Sequence, residues 1–233
     1  MNIVISQPRY LPALNYLQRL YFADFFVVLD TVQRQARGWE NRNKLLVPDP
    51  AWLTIPIASS SRELIVRTTI SDRDWVSAHQ YKISSCYKEA PYFDPSMLSR
   101  LYDLSDVGDS YVDVLVRLIM NISEVLSFSP ALVRASELLS GEVCSGGVEM
   151  LSTICKRFEG STYVSGPNGR DYGVGEEFGR RGIPVRYHDF SHPIYDQRRD
   201  EFHPYMGFLD ALFFCGVEWL SNFVRMQPEL SEK

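Results

Sequence analysis

The sequence predicts an α/β protein, three-layered around a mostly parallel sheet, with a helical insertion in the middle of the chain over about residues 74–127. Strand-like and helix-like patterns alternate at both ends, as the crossover units of a parallel sheet require. Between them runs a stretch of helical periodicity with no strand signal. Residues 1–233 read as a single α/β domain, uninterrupted by a low-complexity linker or an internal repeat.

The chain opens on Met1-Asn2-Ile3-Val4-Ile5-Ser6, a β-branched run expected as a buried strand. It cannot continue through Gln7-Pro8-Arg9-Tyr10-Leu11-Pro12-Ala13, where each proline removes an amide donor and fixes φ. Residues 13–23 then place Leu14, Tyr16, Leu17, Leu20, Tyr21 and Phe22 at helical spacing, and Phe25 to Asp30 reads as a second strand. Strand, rigid elbow, helix, strand is how an α/β protein offers groups to a ligand at the carboxyl end of its first strand. The elbow is either a stiff connection with Tyr10 in the core or a ligand-facing loop in which Gln7 supplies donor and acceptor.

Residues 31–44 are dense in guanidinium and amide groups, too polar for a core element, and read as a surface loop or the lining of a polar cavity. Residues 52–57 and 64–70 are strand-like, with Pro56 at an edge or strand end. In the middle, Trp75, His79, Ile83 and Tyr87 step by four along one helix face, and further helices are expected over 96–104 and 110–126. The last third returns to alternation: strand 131–135, helix 147–158, strand 162–165, helix 174–181, strand 183–187 and a closing helix over 204–215. The turn Ser165-Gly166-Pro167-Asn168-Gly169 would lie at a strand's carboxyl end. It is either a plain connection or a loop whose N–H groups face an anion or carboxylate.

Composition narrows the function classes. Hydrophobic residues make up 45% and charged residues 23%, a globular balance, and the net charge of −5 comes with no basic stripe, so no nucleic-acid partner is expected. No apolar run reaches a membrane span and no signal segment opens the chain, so a soluble cytoplasmic protein is expected. Cys86, Cys144, Cys155 and Cys215 form no C-x-x-C pair and read as free thiols, Cys144 alone in a loop-like setting. The four histidines lack metal-ligand spacing, so neither a metal site nor a cofactor is expected.

A set of residues in order carries a family resemblance: Gln7-Pro8-x-Tyr10-Leu11-Pro12, Asp30-x-Val32-Gln33, Trp39-x-Asn41-Arg42-Asn43-Lys44, Trp75-x-x-x-His79, Tyr163-Val164-Ser165-Gly166 and Tyr195-x-Gln197. This closely resembles the WbqC-like family of bacterial proteins. The resemblance implies a role in surface-polysaccharide (O-antigen) or specialised-metabolite biosynthesis, as a transferase forming an amide by moving an aminoacyl or acyl group to an amine such as an amino sugar. The chain departs from the family pattern at Ser6, Arg9 and Ala13, where the family carries His, Asn and Trp.

The matching polar residues define the candidate site. Asp30 and His79 are the expected catalytic residues, a strand-end carboxylate that orients an amine or shares a proton with the imidazole; the alternatives are a turn-capping aspartate and a satisfied core histidine. Gln7, Tyr10, Gln33, Asn41, Arg42, Asn43, Lys44, Tyr195 and Gln197 are the expected substrate-binding residues, Arg42 offering a planar fork to a carboxylate or phosphate. No Ser-His-Asp order or carboxylate pair stands out, which suits an amine attacking an activated carbonyl without a covalent intermediate. The donor is expected to be a small molecule, carrier-protein-bound or nucleotide-activated. Two alternatives stand beside the transferase: a nucleotidyltransferase-like enzyme, whose H-x-G-H signature is missing, and a non-catalytic binding or scaffold protein.

Overall fold

The computed structural model describes residues 1–35, 38–46, 51–58, 62–140 and 146–232. Cys144, and part of the polar segment 31–44, lie outside the described residues. In chain order the elements are β1 (Asn2–Ser6), α1 (Leu14–Phe22), β2 (Phe25–Val28), β3 (Arg42–Leu45), β4 (Ala51–Thr54), α2 (Trp75–Tyr87), α3 (Pro95–Leu101), α4 (Tyr111–Val125), β5 (Leu132–Arg134), α5 (Ala135–Leu138), α6 (Gly147–Lys156), β6 (Thr162–Ser165), α7 (Val174–Arg180), β7 (Val185–Asp189), α8 (Phe208–Cys215), α9 (Val217–Arg225) and β8 (Glu229–Ser231).

Six strands form one sheet in the spatial order β5-β2-β1-β6-β7-β8. All neighbours are parallel except the last pair, β7 and β8. Numbering only these strands along the chain, the order is 3-2-1-4-5-6, in which the direction of winding reverses between β1 and β6. The fold is thus α/β with a mostly parallel sheet. Phe25 of β2 pairs with Ile3 and Asn2 pairs with Thr162, so the first strand lies at the centre of the sheet.

Strand alternation divides the apolar residues between two cores. Val4, Phe26, Val28 and Val164 face one cluster, shared with Leu17 and Leu20 of α1, Leu115 and Ile119 of α4, and Phe208 and Phe213 of α8. Ile3, Ile5, Val27 and Tyr163 face the other, built with Met150 and Ile154 of α6 and Phe178 of α7. Helices α2, α3 and α4 fall between β4 and β5 in sequence, and their buried faces belong to the first cluster.

Three local features differ from expectation. Residues 42–45 form a strand because Asn43 and Leu45 turn inward while Arg42 and Lys44 are only partly buried; the segment pairs antiparallel with β4 in a separate two-stranded sheet. Residues 64–70, expected as a strand, form a 3₁₀ turn, Ile65–Arg67, flanked by isolated bridges such as Ile57 to Ile70. Beyond the expected closing helix stand α9, with Leu220, Ser221 and Val224 buried, and the antiparallel strand β8.

Candidate functional site

At the carboxyl ends of β1 and β6 the sheet opens into a crevice of about 580 Å³. Ser6 and Ser165, the last residues of these two strands, form its floor. Asn15 and Arg19 of α1 wall one side, and the first turn of α6 (Gly147, Val148) walls the other. In α/β sheets the point where winding reverses leaves such a gap, because the crossover helices on either side lie on opposite faces. Here α1 packs in one core and α6 in the other.

Two guanidiniums face this crevice. Arg19 is only 8% exposed. Its Nε donates to the Asn15 carbonyl at 3.4 Å, and among the described residues no carboxylate pairs with it or with Arg9. Burial lowers the Arg19 pKa and the nearby Arg9 charge lowers it further. The turn after β6 closes the far wall with Gly166, Asn168 and Gly169. A Cβ at Gly169 would fall 2.0 Å from the Ser165 Oγ, so the turn has no room for a side chain there.

A smaller cavity of about 260 Å³ adjoins it, sharing Arg9 and Asn15, and is walled by Trp39, Asn43 and Tyr205 with the elbow residues Tyr10, Pro12 and Ala13. The Asn15 Oδ1 is buried without a hydrogen-bond partner. The elbow between the cavities is held from three sides. Tyr10 N donates to the Glu40 carbonyl at 3.1 Å and Phe208 N donates to the Pro12 carbonyl at 2.9 Å. The Asn43 amide donates to the carbonyls of Leu11 and, at 3.3 Å, Tyr10. Leu11 sits at φ 45°, in the left-handed region, which costs an L-residue roughly 1–2 kcal/mol. Gly207 packs against the kink at φ 84°; a Cβ there would lie 3.0 Å from the Leu11 carbonyl.

The residues expected in one cavity are spread over several. Tyr10 and Asn43 line the smaller cavity. Asp30 and His79 line neither cavity. The Asp30 carboxylate is fully buried and accepts from Ser136 N at 2.9 Å and from Ser136 Oγ at 2.6 Å, holding the start of α5. His79 is 8% exposed and packs against Trp75. Its Nδ1 is hydrogen-bonded to the Tyr10 hydroxyl at 2.7 Å, and Tyr10 also meets the Tyr102 hydroxyl. The inward face of α2 that spaces Trp75, His79 and Ile83 carries the imidazole into the core, and burial lowers its pKa to about 4.

Gln7 is half-buried beside the crevice floor, its carbonyl accepting from the Tyr16 hydroxyl at 3.4 Å. Gln33 is exposed and bridges Leu64. Asn41 donates to the Ile55 carbonyl at 3.2 Å, fixing the hairpin. The Arg42 guanidinium stacks over Trp52 at 4.0 Å, with the Lys44 ammonium over the same ring at 5.2 Å. Tyr195 and Gln197 converge on buried Asp210, donating at 2.8 and 2.6 Å, with Tyr87 donating at 3.2 Å. Sequence reasoning missed Arg9, Asn15 and Arg19. Nothing in the sequence singles out Arg19, and only the adjacency of β1 and β6 shows that it lines a crevice.

The model of the WbqC-like protein family matches residues 7–222. A protein of Mycobacterium tuberculosis described as uncharacterized is 28% identical over 223 residues, spanning 93% of this chain and 95% of its own. No solved structure matches.

Proposed function

This chain belongs to the WbqC-like protein family, and we propose that it is a transferase that forms an amide, moving an acyl or aminoacyl group from an activated donor to an amine. The observation that carries this reading is the pair of joined cavities meeting at Arg9 and Asn15. One is large enough for a small organic donor and the other for a compact acceptor. The unpartnered Asn15 Oδ1 is an acceptor that wants an N–H, and an amine at the junction supplies one. The amine nitrogen forms the new C–N bond to the donor carbonyl and the bond to the leaving group breaks. The electron pair goes with the leaving group, whose negative charge the two guanidiniums stabilise, and the amine proton leaves to solvent.

A surface-polysaccharide or specialised-metabolite pathway is the setting this reading proposes, with an amino sugar as one acceptor of suitable size. The test is incubation of the purified protein with amine acceptors and activated acyl donors, with amide product followed by mass spectrometry. Asn15→Leu is expected to lower kcat/KM about ten- to a hundred-fold while the fold is kept, since it removes about 1–3 kcal/mol of hydrogen bonding. A second reading, a non-catalytic binding protein, is favoured by the lining itself. Among the described residues, no histidine, carboxylate, lysine or cysteine walls either cavity. Tight binding with no product across the panel would establish that reading instead.

A further inference from the structure

We infer that the crevice above β1 and β6 is a binding site for a phosphate-bearing small molecule, its phosphate held between Arg9, Arg19 and the amino terminus of α6. The inference gives the proposed transfer a donor class, and it rests on that reading only for the phosphate's role as the donor's handle.

Arg19 carries the argument. A guanidinium only 8% exposed is expensive to bury without a counter-charge, and none is supplied by the described residues. Its position is fixed from below: a Cβ on Gly166 would lie 3.4 Å from Nη1, so the fork runs along the turn after β6. Arg9 adds a second positive charge that repels the first. Glu40 is the acid whose pKa Arg9 lowers, yet it forms no ion pair with Arg9 and its own burial pushes its carboxyl up. The arrangement therefore attracts an anion and repels a cation.

Helix α6 provides an independent set of donors. It spans 10 residues, opens after Gly146 at φ 87°, carries Glu149 in its first turn, and has no side-chain cap among the described residues. The N–H groups of a helix's first turn have no intrahelical partner and carry the positive end of its dipole. Gly147 and Val148 of that turn line the same crevice as Arg19.

A planar carboxylate satisfies one guanidinium fork. A tetrahedral phosphate presents oxygens in several directions, and so can address two guanidiniums and a helix terminus at once. The volume of about 580 Å³ exceeds what an inorganic ion needs and lies within the range of organic ligands. Tyr172, 75% exposed on the rim, offers a free ring face to the rest of the molecule. A nucleotide and a phosphopantetheine arm share this chemistry.

Isothermal titration tests the site with inorganic pyrophosphate, uridine diphosphate and pantetheine 4′-phosphate, each organic probe matched by its unphosphorylated form. At least one phosphorylated probe is expected to bind at least about ten-fold more tightly than its counterpart, with affinity falling as salt rises. Arg9→Gln is expected to weaken it by about ten-fold or more, with an unchanged circular dichroism spectrum. Arg19→Gln should do the same; where that variant does not fold, Arg9→Gln carries the test. Preference for uridine diphosphate supports a nucleotide and preference for pantetheine 4′-phosphate a carrier arm. No binding by any phosphorylated probe, equal binding of the unphosphorylated forms, or undiminished binding in Arg9→Gln overturns the site. Amide formation in a protein that binds none of these probes overturns the phosphate site and leaves the transferase. Phosphate-dependent binding in a protein that transfers nothing removes the transferase and leaves the site.

Discussion

His79 and His188 are two imidazoles whose burial makes stability depend on pH. His188 is 1% exposed, its Nε2 bonded to the Gln18 amide oxygen at 3.0 Å and its Nδ1 without a partner. Burial, and then the Arg19 charge, lower its pKa to about 4, and burial does the same to His79. Both are neutral in the folded chain at neutral pH. The unfolded chain binds protons below about pH 6.5 and the folded chain does not until about 4, so stability falls as pH drops through that window. Each imidazole is expected to cost about 2 kcal/mol of stability by pH 5 relative to pH 7.5. Urea midpoints at the two pH values check this, and His79→Gln should flatten the dependence. An unaltered slope in that variant would show that His79 is not the titrating group. The sequence placed His79 on an inward face by its spacing, but it could not show that Tyr10 would be its partner, because the two lie 69 positions apart.

At the scale of elements, Asp210 is the hub that joins α8 to α2 and to the segment before α8. The carboxylate is fully buried; burial raises its pKa, while the three donors from Gln197, Tyr195 and Tyr87 oppose that rise. Removing it strands three buried donors, each costing about 1–3 kcal/mol when unpaired. Asp210→Ala is therefore expected to destabilise by about 3 kcal/mol or more in chemical denaturation, and Asp210→Asn by less, because the amide oxygen still accepts. A loss below about 1 kcal/mol in the alanine variant would mean that water takes over the donors. The need for such a partner was legible, since an aspartate in an apolar helix must be satisfied. The missed elements have equally physical causes. The strand β3 hides its period of two under three polar or charged residues, Arg42, Asn43 and Lys44, and residues 64–70 look β-branched enough for a strand yet find no continuous partner to pair with.

For the molecule as a whole, the alternation of patterns along the chain foretold a mostly parallel sheet, but not its strand order. That order decides where the crevice lies, and it depends on pairing β1 with a strand 160 residues away by register (Asn2 to Thr162). The same order predicts where stability concentrates. Strand β1 has parallel neighbours on both sides and buried side chains on both faces, whereas β8 is a three-residue edge and the β3–β4 hairpin stands apart from the main sheet. Amide exchange followed by mass spectrometry is expected to be slowest in β1, β2 and β6 and early in β8 and the hairpin. Protection in the hairpin equal to that of β1 would contradict this.

The strained elbow also bears on how the chain is made. The elbow residues are synthesised long before Phe208, which clamps their backbone together with Glu40 and Asn43. A nascent chain halted before residue 208 carries Arg9 and Leu11 without the backbone amide that fastens Pro12. With so distant a closure, relaxation of the elbow towards ordinary φ values is favoured until residue 208 has been made. Premature termination before residue 208 would thus release a polypeptide whose elbow had never been fastened at Pro12.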